Sequence, residues 1–158
     1  MFATLRYTIS GYILANILLS INQLKRFVFE TSISSQDRER QFPVQGGFRQ
    51  VCQALFEHRE SLEEVVVSNS DGAFSVSAIL RYSRLNTFTN LKILAMSPFH
   101  KLYYKLHERL PPSLEILQLQ YAMDHEETDE NLDYRIAVLT SLAANKVDYV
   151  PQLKHVIW

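Results

Sequence analysis

Ser113-Leu114-Glu115-Ile116-Leu117-Gln118-Leu119 is the stretch that decides how this chain is read. A leading leucine is followed, three residues on, by apolar side chains at every second position. That alternation is the period of a strand with one buried face. The phrase Leu-x-x-apolar-x-apolar returns at Leu24-Phe27-Phe29, Leu62-Val65-Val67, Leu91-Leu94-Met96 and Leu153-Val156-Trp158. Each copy carries a polar residue before its leucine and a charged one after it. These are Gln23 and Lys25, Ser61 and Glu63, Asn90 and Lys92, Ser113 and Glu115, and Gln152 and Lys154. Five copies in 158 residues constitute a repeat, which has to be recognised before a fold class is chosen.

Helical patterns separate the phrases. Leu5, Ile9, Ile13, Ile17 and Ile21 step by four and predict a helix before the first phrase. Phe48, Val51, Cys52, Leu55 and Phe56 predict a second, entered at Gly46-Gly47. Val76, Ile79 and Leu80 predict a third, after a turn at Asn69-Ser70-Asp71-Gly72. Leu102, Tyr103, Leu106 and Leu110 predict a short fourth, stopped by Pro111-Pro112. Leu132, Ile136, Leu139, Ala143 and Val147 predict a fifth, capped at Asn131. Thr31–Gln45 and the acidic Asp124–Glu130 read as loops. Strands separated by helices run parallel, with right-handed crossovers. A doubly wound sheet gives no reason for the same phrase in every strand, so the pattern favours a solenoid. The expectation is a single α/β domain over residues 1–158. It is a right-handed solenoid with about five parallel strands on its concave side and helices on its convex side.

Composition narrows the function classes. Sixteen Lys and Arg balance seventeen Asp and Glu, so no basic excess points to nucleic acid. A single cysteine, Cys52, excludes an internal disulfide and favours a reducing, intracellular setting. Gly11–Ile21 is apolar but is interrupted by Asn16 and Ser20. It falls short of the roughly 20 apolar residues that span a bilayer, and it reads as a buried helix and not a signal peptide.

The phrase led by Leu110-Pro111-Pro112-Ser113-Leu114-Glu115 resembles leucine-rich-repeat proteins over about Leu5 to Trp158. The rhythm Asn90-Leu91-Lys92, Ser113-Leu114-Glu115, Gln152-Leu153-Lys154 is similar to the repeat regions of fungal F-box proteins. The resemblance implies a protein-interaction module, a substrate-recognition remnant of an F-box-type receptor. Two departures bear on it. The leading leucines lie 38, 29, 23 and 39 residues apart, against about 20–29 in regular repeats. The asparagine that regular repeats place three residues after the last apolar position is replaced by Ser32, Ser70, Phe99 and Ala122, which implies an irregular stack. No F-box precedes the repeats, so the family's ubiquitin-ligase link does not carry over.

Catalytic patterns are scarce. The four glycines form no phosphate loop, and no Gly-x-Ser-x-Gly elbow is present. Cys52 falls on an apolar helix face and reads as core. His100 and His107 lack further ligands at metal spacing. The acidic run at Asp124 lacks the calcium-loop pattern. No cofactor or catalytic residue is expected. What remains is the sheet face opposite the buried residues. It would present Arg26, Val28, Glu64, Val66, Ile93, Ala95, Ile116, Gln118, His155 and Ile157 to a protein partner. Self-association through the edge strand at 153–158 is a second expectation. Two alternatives stay open: a small α/β enzyme or nucleotide-binding domain with its site at the strand ends, and a truncated gene product with no retained role.

Overall fold

The computed structural model describes residues 2–5, 11–31, 44–69, 84–96, 103–119 and 129–157. In chain order the elements are β1 (Phe2–Leu5), α1 (Gly11–Leu19), β2 (Arg26–Thr31), α2 (Val44–Glu57) and β3 (Glu64–Asn69). A 3₁₀ turn at Leu85–Thr87 and β4 (Ile93–Met96) follow, then a 3₁₀ segment at Tyr103–Arg109 and β5 (Ile116–Leu119). The chain continues through α3 (Asp129–Tyr149) into β6 (His155–Ile157). The six strands form one open sheet in the order β1-β2-β3-β4-β5-β6, and every pairing is parallel. The architecture is α/β.

The repeated phrase makes the sheet. All five leading leucines are buried, Leu24, Leu62, Leu91 and Leu114 completely and Leu153 at 5% exposure. Phe27, Val65, Leu94, Leu117 and Val156 stand level in successive strands. Val65, Leu94 and Leu117 are at most 1% exposed, as the alternation predicts. They share one core with Leu14 and Leu18 of α1, Val51, Cys52 and Leu55 of α2, and Val138 and Leu142 of α3.

The repeat also has a backbone counterpart. The residue after each of the first four leading leucines offers its carbonyl to two successive amides at the start of the next strand. Lys25 O accepts from Glu63 and Glu64, and Glu63 O from Lys92 and Ile93. Lys92 O accepts from Glu115 and Ile116, and Glu115 O from Lys154 and His155. The polar residue before the leucine also bridges repeats. The Ser61 hydroxyl donates to Leu24 O at 3.0 Å and the Ser113 hydroxyl to Leu91 O at 2.9 Å. Asn90 Nδ2 donates to Glu60 O at 2.6 Å. Polar cross-links between repeats therefore exist at the start of the strands. The positions of the missing asparagines, Ser32, Ser70, Phe99 and Ala122, lie outside the described residues.

Several expectations change. Among the described residues the sheet has one strand more than the five phrases predict, because Phe2–Leu5 pairs in parallel with β2. Leu5 therefore does not belong to the first helix. That helix buries Leu14, Ala15 and Leu18, while Ile13 and Ile17 are 54% and 39% exposed. Its sequence, Gly11–Leu19, is apolar nearly all round, so a step of four fits more than one face. α2 begins at Val44 and takes Gly46 and Gly47 inside it. The fourth predicted helix is a 3₁₀ segment broken at Lys105 (φ −135°, ψ 38°). α3 begins at Asp129, so Asn131 lies inside it and is not its cap. Its core residues are Val138 and Leu142, and the predicted stripe of Leu132, Ile136, Leu139 and Val147 is 41–82% exposed. The predicted helix at Val76–Leu80, the acidic run at Asp124–Thr128, His100 and Trp158 lie outside the described residues.

Candidate functional site

The alternation that buries Leu94 and Leu117 turns the intervening residues to the opposite face of the sheet. Strand register collects them in two neighbouring rows. The first runs Arg26, Glu64, Ile93, Ile116, His155 across β2 to β6. The second runs Val28, Val66, Ala95, Gln118, Ile157 across the same strands. All ten residues expected to form a binding face thus lie in two adjacent rows, and none belongs to the core shared with the helices.

Within the rows the residues differ in how accessible they are. Val28 and Ala95 were expected to be exposed, but they are only 7% and 2% accessible. Ala95 is short and stands between Val66 and Gln118, and Val28 stands between β1 and Val66, so neighbouring strands screen them. Val66, Ile93 and Ile116 are half-buried, and Ile157 is 47% exposed. This leaves an apolar centre on β3, β4 and β5. Arg26 Nε and Glu64 Oε2, 2.8 Å apart, border it on one side. Half-buried Gln118 and exposed His155 border it on the other.

A row of alternating charge runs along the start of the strands, formed by Lys25, Glu63, Lys92, Glu115 and Lys154. Lys25 Nζ lies 3.1 Å from Glu63 Oε1, and Lys154 Nζ lies 2.6 Å from Glu115 Oε2. The hydrogen bond from Lys25 lowers the Glu63 pKa from the usual carboxylate value, and that from Lys154 lowers the Glu115 pKa. The charge on Lys92 adds to both effects.

On the helix side two histidines are buried, and only His58 escaped the sequence reading. His58 is 6% exposed, and its Nε2 sits 2.9 Å from Leu18 O. A carbonyl only accepts, so Nε2 carries the proton, and His58 ties the end of α1 to the end of α2. His107, which lacks further ligands at metal spacing, is 8% exposed. Its Nδ1 lies 3.1 Å from Ser141 Oγ, and its ring meets Tyr149 edge to face at 4.9 Å. Both act as ties between elements. Burial pushes the Cys52 thiol up to about 12, which keeps it protonated and unreactive. A groove of about 640 Å³ between α1 and α2 is lined by Tyr12, Asn16, Leu19, Arg49, Gln53 and Glu57, among others. Nothing in the spacing of these residues announced it, because the groove depends on how two helices pack.

Among the described residues, no three His, Cys, Asp or Glu side chains gather in a way that would hold a metal ion. No helix among them is long and apolar enough to cross a membrane. No family model, curated protein or solved structure matches the chain.

Proposed function

We propose that this chain is a leucine-rich-repeat-type solenoid without catalytic activity, and that it holds a segment of a protein partner on its sheet face. The observation that carries the reading is the pair of register rows with Val66, Ile93 and Ile116 at their centre. Strand order equal to chain order supports it. Crossovers of one hand then all fall on the same side of the sheet, leaving the other side for a ligand. The repeated rungs at Lys25, Glu63, Lys92 and Glu115 support the solenoid, since each repeat meets the next in the same way. An apolar centre inside a polar border suits a docked peptide or loop, with Arg26, Glu64 and Gln118 fixing its direction. In the F-box family that the sequence resembles, repeats of this kind hold the substrate. The same use of the face, inside the cell, is part of this proposal.

The test is a pull-down with the recombinant chain, followed by titration of the captured partner against wild type and an Ile93→Asp/Ile116→Asp variant. Both residues are half-buried on the face opposite the core, so the variant should keep its circular-dichroism spectrum. Binding should weaken at least tenfold. Unchanged affinity in the folded variant would remove the sheet face as the docking site.

A further inference from the structure

The charges along the start of the strands are not evenly matched. The backbone rungs carry them across the sheet in the order Lys25, Glu63, Lys92, Glu115, Lys154. Both glutamates are bonded to the outer lysines. Glu63 Oε1 lies 3.1 Å from Lys25 Nζ, and Glu115 Oε2 lies 2.6 Å from Lys154 Nζ. Lys92 stands between the two glutamates, and each of them is paired on its far side. Among the described residues no carboxylate comes within ion-pair distance of the Lys92 ammonium. The adjoining row supplies no counter-charge, because Glu64 is paired with Arg26. One positive charge is therefore left over, at the start of β4. Lys92 is exposed, and half-buried Ile93 follows it directly. Ile93 stands level with Ile116 on β5, and Val66 belongs to β3 on the other side. The unmatched charge thus borders the apolar centre of the sheet face.

We infer that the occupant of the sheet face is an extended segment of a partner protein in which an Asp or Glu side chain stands beside two apolar ones. Its carboxylate meets Lys92, and its apolar side chains cover Val66, Ile93 and Ile116. This rests on the sheet-face reading of the proposed function and adds the partner's chemistry to it. Charge complementarity makes the choice. A wholly apolar segment would cover the isoleucines but draw water from the ammonium without replacing it, which is costly for a charge. A basic segment would set like charge beside Lys92, with both nearby glutamates already engaged. An acidic side chain supplies the missing partner, and such pairing selects among ligands more than it raises affinity. A single spare charge does not suit nucleic acid, which is held through many phosphate contacts. The distances suit a short segment. Ile93 and Ile116 are one strand spacing apart, about 4.8 Å, and an extended residue advances about 3.3 Å. A few extended residues therefore reach from the ammonium across both isoleucines.

The experiment selects a phage-displayed library of random short peptides on the purified chain and, in parallel, on Ile93→Asp/Ile116→Asp. Peptides held by the wild type and lost by that variant are the face binders. Among them, Asp and Glu beside apolar residues should exceed their frequency in the starting library. One such peptide is then synthesised with its acid and with the matching amide. The acid should bind the wild type about fivefold more tightly, the upper range for a part-exposed ion pair, and the gap should narrow in high salt. Lys92→Met should bind both forms alike, and selection on Lys92→Glu should enrich Lys and Arg in place of the acid. Both substitutions change an exposed side chain and keep the backbone rung, so circular dichroism should match the wild type. Face binders without an acidic excess overturn the inference, as does an acid preference that survives Lys92→Met. Either result leaves the sheet face standing as a docking site. A selection that yields no peptide dependent on Ile93 and Ile116 overturns both readings.

Discussion

Ser113 shows how a small polar residue holds two repeats together. Its hydroxyl donates to Leu91 O at 2.9 Å and lies 3.3 Å from Phe88 O, in a part-buried setting. Ser61 repeats the arrangement two intervals earlier, on Leu24 O. Losing such a bond while its acceptor stays partly desolvated costs about 1 kcal/mol. Ser113→Ala should lower unfolding free energy in urea by about that amount without changing the slope of the transition. A neutral result would mean that water replaces the hydroxyl. The residue was visible in the sequence as the polar position before the leucine, but its role was not, because its acceptors are 22 and 25 residues away. Arg84 was not legible at all. Its φ of 48° places a side-chain-bearing residue in the left-handed region. The turn holds it there, with the Thr87 amide and hydroxyl both donating to Arg84 O.

At the level of elements, strands and helices differ sharply in what the sequence reveals. A strand has two faces, so alternation after the leading leucine names the buried one, and Val65, Leu94 and Leu117 lie where it puts them. β1 was missed because Phe2–Leu5 is short and lacks a leading leucine. A helix has a continuous circumference, and α3 carries two apolar flanks. One is the regular stripe from Leu132 to Val147, and the other contains Val138 and Leu142. The more regular flank proved to be the exposed one. Truncation should separate them. Leu142→Ala, at 3% exposure, should cost about 2–5 kcal/mol, the usual loss for a core leucine. Leu139→Ala, at 41%, should stay within about 0.5 kcal/mol of wild type in the monomer. The reverse order in denaturant melts would put the regular stripe in the core. The candidate face was legible to the same extent as the strands. All ten residues fall in the expected rows, and only the screening of Val28 and Ala95 depended on their neighbours.

Across the whole molecule, the row Lys25, Glu63, Lys92, Glu115, Lys154 couples the repeats through charge. The pKa values of Glu63 and Glu115 are lowered by hydrogen bonds from lysine and by neighbouring positive charge. A lowered folded-state pKa means stability that is present above the ordinary glutamate value and is lost as pH falls through the depressed one. Unfolding free energy should therefore drop on acidification below about pH 4.3, the unperturbed glutamate pKa. The drop should be smaller in a Lys25→Met/Lys154→Met variant, which removes both donors. The difference should also shrink in high salt, because these groups are part-exposed. Identical acid profiles for the two proteins would show that the row contributes nothing to folding.

The rungs have a consequence for how much the chain can change without ceasing to be itself. Leading leucines are separated by 23 to 39 residues, yet each strand meets its neighbour through the same carbonyl and the same pair of amides. Alignment is indexed at the first residues of each strand, as a zip fastener is indexed by its teeth and not by the slack in the cloth. Connections can then lengthen at little thermodynamic penalty, since doubling a flexible loop costs only about 0.6 kcal/mol. Such a scaffold invites grafting. Peptides inserted between repeats would leave the strands in step, and new recognition loops could be carried on an unchanged frame.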